Sequence, residues 1–463
     1  MVSDVHKPSV KHQCSSLRRR RLTCQSGPII RINPFELHVS DPDFIDTLYT
    51  RSAPRDKHPY LTRAFGTDDV TFNTCDHAHH RLRRAAVAPF FSKQRVLGLQ
   101  DLIWTHVEKL CNRFEEFQDV KKPLPTGNAF GCLTADIIID YSMGIQQNAL
   151  EDPDFAPFFT QAIKKFAEFA IILRHMPWMH KLINAIPPDR LSKLSPEYGA
   201  MLAFRKMNND RVAEAFARNE KRSVPPEARN VFDELINSDL PPAEKTLSRL
   251  SQESQIIIDA AVDTTAHTLT TTLFHILDNP SKLTKLQHEL RAAMPDPHTH
   301  APLVELEKLP YFSAVINEGL RLSYGISSRN ARIAHTPMLC QGWIIPAKTP
   351  VGMSVPLTHH NEDIFPDSHS FVPERWLDAD GNFGAKTPDG RSLEKFLMAF
   401  GRGSRQCAGI NLARAELYLC LAAVLRRFDM QLFESGRRDV DMVRDLFLPG
   451  VARESKGVKV LVK

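Results

Sequence analysis

Phe400-Gly401-Arg402-Gly403-Ser404-Arg405-Gln406-Cys407-Ala408-Gly409 is the stretch from which the rest of this chain can be read. It holds one thiol, a cation two residues before it, glycines on both sides and a helix-forming run after it. At average amino-acid usage, Phe, Gly, Arg, Cys and Gly fall at these spacings with odds on the order of 10⁻⁷. Over 463 residues, an accidental match has odds on the order of one in ten thousand. A buried structural Cys ahead of a helix is therefore the weaker reading. Ala408 to Phe428 is expected to be helical, with Ile410, Leu412, Leu417, Leu421, Leu425 and Phe428 apolar and almost no breakers. Cys407 stands at its N-terminal end, where unpaired N–H groups and the helix dipole favour negative charge. Such a setting lowers a thiol's pKa and keeps it as thiolate.

A thiolate is a strong axial ligand for haem iron and favours O–O cleavage. Gly403 and Gly409 lack a Cβ and let the backbone approach a flat macrocycle closely. Arg405 is placed to reach back to a haem propionate as a charge-assisted pair. The pattern F-x-x-G-x-R-x-C-x-G resembles the cysteine loop of the cytochrome P-450 haem-thiolate monooxygenases. That resemblance implies a mainly α fold with small β-sheets and haem b between a long central helix and the Cys-loop helix.

Two further motifs agree with it. Glu318 and Arg321 stand three apart in a helical stretch, Leu309 to Leu322, and share one face. Phe371-Val372-Pro373-Glu374-Arg375-Trp376 supplies another cation. These are similar to the family's E-x-x-R helix and P-E-R segment, which implies a buried structural network of Glu318, Arg321 and Arg375. Ser254 to Pro280 reads as a long helix containing Ala260-Ala261-Val262-Asp263-Thr264-Thr265. A Thr in mid-helix can bond the carbonyl four residues back, here Ala260, and loosen the ladder. The family shows A-G-x-[D/E]-T-T over the distal haem face. The resemblance makes Asp263 the acid, acting through a water, and Thr264 the alcohol of a proton relay. Ala261 departs from the usual Gly, and Asp259 adds a carboxylate one turn earlier, so a narrower oxygen groove is expected.

His77-Ala78-His79-His80-Arg81-Leu82-Arg83-Arg84, with Cys75 nearby, invites a metal-site reading, but no second ligand pair at zinc spacing accompanies it. His80 and Arg84 share a helical face. By resemblance they hold a haem propionate, as does Arg332 on a strand edge, with Arg329 as its alternative.

Length alone suggests about three domains, yet no Gly/Ser linker or charge run divides the chain. The expectation is a single domain over 27–463, preceded by a polar, basic segment over 1–26 that is disordered or a truncated anchor region. Helical periodicity dominates from Arg81 to Arg291, with a Pro-rich surface connection over Val224 to Pro242. Short strands are expected near Gly342 to Met353 and Gly457 to Val462. The 8 Cys form no C-x-x-C pair and the net charge is +5, which fits reduced thiols facing the cytosol and does not argue for nucleic acid. No run of about 20 apolar residues forms a membrane anchor. The location is expected on the cytosolic face, peripheral to the endoplasmic reticulum.

The function expected by resemblance is insertion of one oxygen atom of O2 into an apolar small molecule. NADPH electrons would arrive through a partner cytochrome P-450 reductase, with cytochrome b5 as a further donor to a monomer. Arg81, Arg83, Lys93 and Arg402 form a candidate docking face for that acidic partner. Asp76-His77 to Phe90-Phe91-Ser92-Lys93 and Ala415-Glu416-Leu417-Tyr418-Leu419 look most like filamentous-fungal members. Those act in secondary-metabolite, mycotoxin-type pathways, so the substrate is expected to be a terpenoid or polyketide intermediate. Two alternatives stay open: a reductase-independent isomerase, dehydratase or peroxygenase on the same fold, and a non-catalytic haem-binding protein. Candidate pocket walls are Phe65, Phe72, Ala260, Ile326 and Phe447.

Overall fold

The computed structural model describes residues 27–62, 67, 69–156, 171–187, 190, 196–220 and 230–463. The 1–26 segment and Phe65 lie outside them. Eight helices position the site: α1 (His77–Val87), α2 (Gln100–Asp119), α3 (Thr126–Met143), α4 (Pro196–Glu220), α5 (Val231–Asn237), α6 (Leu247–Leu277), α7 (Pro310–Ser323) and α8 (Ile410–Arg427). The long helix starts seven residues earlier than its apolar run suggests, because Thr246 caps it by accepting from the Arg249 N–H at 3.3 Å. The Cys-loop helix begins at Ile410, after the N-cap residue Gly409.

α8 is buried along Ala415–Leu425 and packs on α2 and α6, so apart from Glu416 its core is apolar all round rather than on one stripe. α6 crosses α3, where Thr134 Oγ1 donates to Val262 O at 3.0 Å. α6 meets α7 at Gly319. A Cβ there would lie 1.9 Å from Thr272 Oγ1, so only glycine admits this approach. The expected surface connection over Val224 to Pro242 contains a helix instead. In α5, Val231, Phe232 and Leu235 are buried, and a capping box between Asn230 and Asp233 closes its first turn. The prolines around it mask this seven-residue apolar segment in the sequence.

The strands are short: β1 (Ile29–Asn33), β2 (Glu36–Val39), β3 (Arg55–Lys57), β4 (Leu124–Pro125), β5 (Arg332–Ala334), β6 (Met338–Cys340), β7 (Trp343–Ile345), β8 (Pro350–Gly352), β9 (Met430–Leu432), β10 (Arg444–Leu446), β11 (Leu448–Gly450) and β12 (Lys459–Val462). The largest sheet has the order β1-β2-β8-β5-β3, with β2 and β8 parallel and its other pairs antiparallel. In its β3–β5 register Lys57 stands opposite Arg332, which puts two cations side by side.

Candidate active site

Cys407 follows a single 3₁₀ turn, Gly403–Arg405. Its N–H donates to Phe400 O at 2.9 Å, closing the loop on itself. Gly403, at φ +75°, is required by packing: a Cβ there would sit 2.1 Å from Tyr49 O. That reason differs from the expected approach to a macrocycle. Gly409 has nothing within 4 Å of where its Cβ would be, so this side of the loop does leave room for a flat group.

Cys407 as a residue is exposed, although protein surrounds its thiol. Burial pushes its pKa up, and the Gly409 N–H and the Arg84 charge only partly oppose this. The low pKa expected from the helix end does not result, because desolvation outweighs the dipole. A thiolate at this position calls for a cation at the sulfur, whose charge inverts the local balance.

Beside the thiol lies a group of cations. α1 brings His80 and Arg84 onto one face, and Arg84 Nη2 donates to Cys407 O at 3.4 Å. Burial, then the charges of Arg405, Arg84, Lys57 and Arg332, lower the His80 pKa to about 3, so its ring is neutral. Among the described residues, Arg332 bonds through Nη1, to Asn330 O, Asn330 Oδ1 and Ala331 O. Lys57 is buried, donates from Nζ to Phe72 O at 2.7 Å and lies 3.4 Å from the Phe72 ring centroid. Its pKa falls well below normal, from burial and then from Arg332 and Arg405.

Arg405 engages the carbonyls of Thr74, Cys75 and Asp76 with both Nη atoms, which departs from the expected direct reach to a propionate. Its Nε is buried with no acceptor, and its charge remains. Among the described residues, none of Lys57, Arg84, Arg332 and Arg405 pairs with a carboxylate. Buried charges without counter-ions cost several kcal/mol each, so this cluster calls for an anionic ligand. Two carboxylates at one edge of a macrocycle fit it. Arg329, the alternative to Arg332, is held 2.9 Å from Glu36 Oε1. Lys57 is a member that sequence reasoning missed, since only the β3–β5 register brings it to Arg332.

On the other side, the α6 face carries Ala260, exposed, and Thr264, whose Oγ1 donates to Ala260 O at 2.8 Å as expected for a Thr that loosens a helix. Asp263, the residue before Thr264, is partly exposed. Asp259, one turn before it, accepts from Gln255 Nε2 at 2.8 Å. Burial, with the Asp263 charge adding to it, pushes Asp259 up to about 7 against the pull of Gln255 and Arg205. Ala261 packs against the hydrophobic core. Thr265, the residue after Thr264, is buried and bonds Glu416 of α8, whose carboxyl is pushed up to about 8 by burial. That link was not legible beforehand, because Glu416 sits in an otherwise apolar run.

Below the loop, Glu318 and Arg321 are fully buried, 2.8 Å apart, and Arg375 Nε lies 3.2 Å from Glu318 Oε1. Trp376 Nε1 and Val372 N also donate to Glu318. His359 extends the network. Its Nε2 accepts from Met398 N at 2.8 Å, so Nδ1 carries the proton and donates to Arg321 O at 2.7 Å. This ties the network to the segment leading into the Cys loop.

The His run of α1 splits three ways. His77 Nδ1 accepts from Arg55 N, His79 Nε2 lies 2.7 Å from Glu244, and His80 joins the cation cluster. The expected docking face is mostly occupied. Arg83 is buried against Glu244 and Thr74, Lys93 is paired with Glu307, and Arg402 bonds Lys395 O, leaving Arg81 exposed. Of the expected pocket walls, Phe72 and Phe447 meet edge-to-face with centroids 6.1 Å apart.

Comparison with known proteins gives the family. The family model described as Cytochrome P450 matches residues 24–462. The chain is 42% identical over 455 residues to cytochrome P450 monooxygenase MO6277 of Ascocoryne sarcoides, covering 95% of this chain and 87% of that protein. It is 37% identical to the tryptophan 6-hydroxylase fscE of Fusarium equiseti, covering 95% and 85%. It is 34% identical to the N-acetyltryptophan 6-hydroxylase ivoC of Emericella nidulans, covering 94% and 84%.

Proposed function

The chain belongs to the cytochrome P450 family, and from that premise we propose that residues 27–463 form one monooxygenase domain in which the Cys407 sulfur would hold the haem iron. Haem in this family supplies the activation of O2, using NAD(P)H electrons delivered by a reductase. The observation that carries the reading is the interior Cys407 thiol beside a cation cluster that lacks carboxylate partners.

Arg84, Arg332 and Lys57 would hold the propionates, neutral His80 would donate a hydrogen bond, and Arg405 adds field while anchoring the loop to the segment just before α1. Asp263 and Thr264 move protons on the α6 side, with the Thr264 hydroxyl positioned by Ala260 O. Glu318, Arg321 and Arg375 keep the loop in place. Docking of a reductase rests on Arg81 and surfaces beyond the paired cations, with cytochrome b5 as an alternative donor and a monomer as the working unit.

The substrate is an apolar small molecule of fungal secondary metabolism, a terpenoid or polyketide intermediate. A second reading, an aromatic amino-acid derivative, is favoured by the names of the two relatives that hydroxylate tryptophan and N-acetyltryptophan. No helix among the described residues is long and apolar enough to cross a membrane. Exposed Trp343 and Ile344 on the β6–β7 hairpin and Trp178 and Leu182 favour peripheral membrane attachment.

The test is Cys407→Ser in the holoprotein. Wild type should give the red-shifted Soret band of a thiolate-ligated, carbon-monoxide-bound ferrous haem and turn over with reductase, and the variant should lose both. A variant that retains both sinks the assignment.

A further inference from the structure

Asp259 stands one turn before Asp263 on α6, so the two carboxylates share a helical face. A chain of amides orients it from α4. Asn208, 1% exposed, donates from Nδ2 to Gln255 Oε1 at 3.0 Å. That contact turns the other end of the Gln255 amide toward Asp259, where Nε2 donates to Oδ1 at 2.8 Å. Oδ1 is thereby committed as an acceptor, so a proton on this carboxyl sits on Oδ2. Asp259 is only partly buried. Among the described residues no donor meets Oδ2, and it is not one of the covered atoms that lack a partner, so water reaches it.

Two carboxylates one turn apart resist ionising together. Asp263 acts on Asp259 along its own helix, and Arg205 acts from α4. Among the described residues no charged group of α3, α7 or α8, which also pack on α6, enters this balance. Burial outweighs the Gln255 hydrogen bond and the Arg205 charge, which puts the Asp259 pKa at about 7 and keeps a proton on it just below neutrality. Ala260, exposed on the same side of α6, leaves room for water beside the pair. Asp263 in turn adjoins Thr264, whose hydroxyl is held by Ala260 O.

We propose that Asp259 is a proton-supplying residue that refills Asp263 through a water. This rests on the monooxygenase reading and deepens its α6 side. The O–H bond at Asp259 Oδ2 breaks as its proton passes to the water, and the water gives a proton of its own to an Asp263 oxygen. The pair carries one proton before and after, so its net charge does not change. Asp259 then regains a proton from solvent water. It acts only through Asp263, and the Asn208–Gln255 chain keeps Oδ2 as the oxygen that exchanges.

The test joins an infrared pH titration of the ferric holoprotein, reading the C=O band of protonated carboxyls, to NADPH oxidation by the holoprotein with a cytochrome P450 reductase. Wild type should show a carboxyl that titrates near pH 7 and that Asp259→Asn removes. Asp263→Asn takes away the like charge, so the midpoint should fall by about 0.3 pH unit or more. Gln255→Leu takes away a donor to the carboxylate, so the midpoint should rise. NADPH oxidation by Asp259→Asn should be at least about threefold below wild type at pH 6, less than the ~10²–10⁴-fold of a group acting on the reacting atoms. The two rates should converge by pH 9, where wild type has lost that proton, and Asp259→Glu should recover part of the rate at pH 6. A wild type with no carboxyl titrating between pH 6 and pH 8 overturns the proposal, as does a midpoint that Asp263→Asn leaves unmoved. A rate ratio that does not vary with pH also overturns it and marks a structural role. Should Asp259→Asn fail to fold, the opposite shifts in Asp263→Asn and Gln255→Leu decide alone. A normal thiolate spectrum alongside a missing titration refutes Asp259 and spares the haem assignment, whereas an abnormal spectrum refutes the latter.

Discussion

Glu318→Gln isolates the charge that holds the region beneath the Cys loop. The Glu318 carboxylate accepts from Arg321 Nε at 2.9 Å, Arg321 Nη2 at 2.8 Å, Arg375 Nε at 3.2 Å, Val372 N at 2.9 Å and Trp376 Nε1 at 3.0 Å. An amide keeps the shape, removes the charge and turns an acceptor into a donor facing donors. Breaking a buried ion pair by removing one partner costs ~3–5 kcal/mol. Arg321 would keep the carbonyls of His359, Ser368 and Ser370, and Arg375 that of Pro366, which places the loss at the lower end. About 3 kcal/mol is roughly a hundredfold in the folding equilibrium and a large share of a typical ~5–15 kcal/mol stability.

Urea unfolding of the ferric holoprotein, followed by near-ultraviolet circular dichroism, should show the lower midpoint at pH 7. The gap should also close in acid. Burial by itself raises the Glu318 pKa, but Arg321 and Arg375 and the donated hydrogen bonds reverse this, and the net shift is downward. A depressed carboxylate stabilises the fold above its unfolded pKa and loses that contribution as pH falls through the folded value. Below the ordinary Glu range the two proteins should therefore converge. A pH 7 difference under about 0.5 kcal/mol, smaller than an ordinary neutral hydrogen bond, would refute the reasoning.

Two other outcomes are expected. Asp259 is pushed up to about 7, so its contribution is present below about pH 4 and is lost as pH rises through the folded value. Asp259→Asn should thus be more stable than wild type by about 2–4 kcal/mol at pH 8, with the gain vanishing toward pH 4. A gain that does not vary with pH would contradict the burial argument. Trp343 and Ile344 are each 72% exposed, and Trp343→Asp with Ile344→Asp should reduce co-sedimentation of the purified protein with anionic phospholipid vesicles; unchanged binding would remove the hairpin from membrane attachment.

Much of this protein was legible in one dimension wherever local order suffices. Cys407 in its loop, Glu318 and Arg321 one turn apart, and Thr264 four residues after Ala260 are each set by spacing along a single element, and helical or loop geometry turns spacing into proximity without help from the rest of the chain. The family resemblance, and not spacing alone, paired the Glu318 helix with Arg375, since the contact spans a sequence separation of 57.

What the tertiary structure alone decided depends on long-range register and on desolvation. Lys57 enters the cation cluster because β3 pairs with β5, and Arg83 and Lys93 leave the docking face because Glu244 and Glu307 come from distant elements. The thiol at Cys407 is raised rather than lowered in pKa because the surrounding fold removes water from it. Arg174 has no neighbour in sequence that marks it out. Its partner is Ser328, 154 residues away. Local chemistry is written residue by residue, whereas the cost of burying a charge is known only once the whole chain has closed around it.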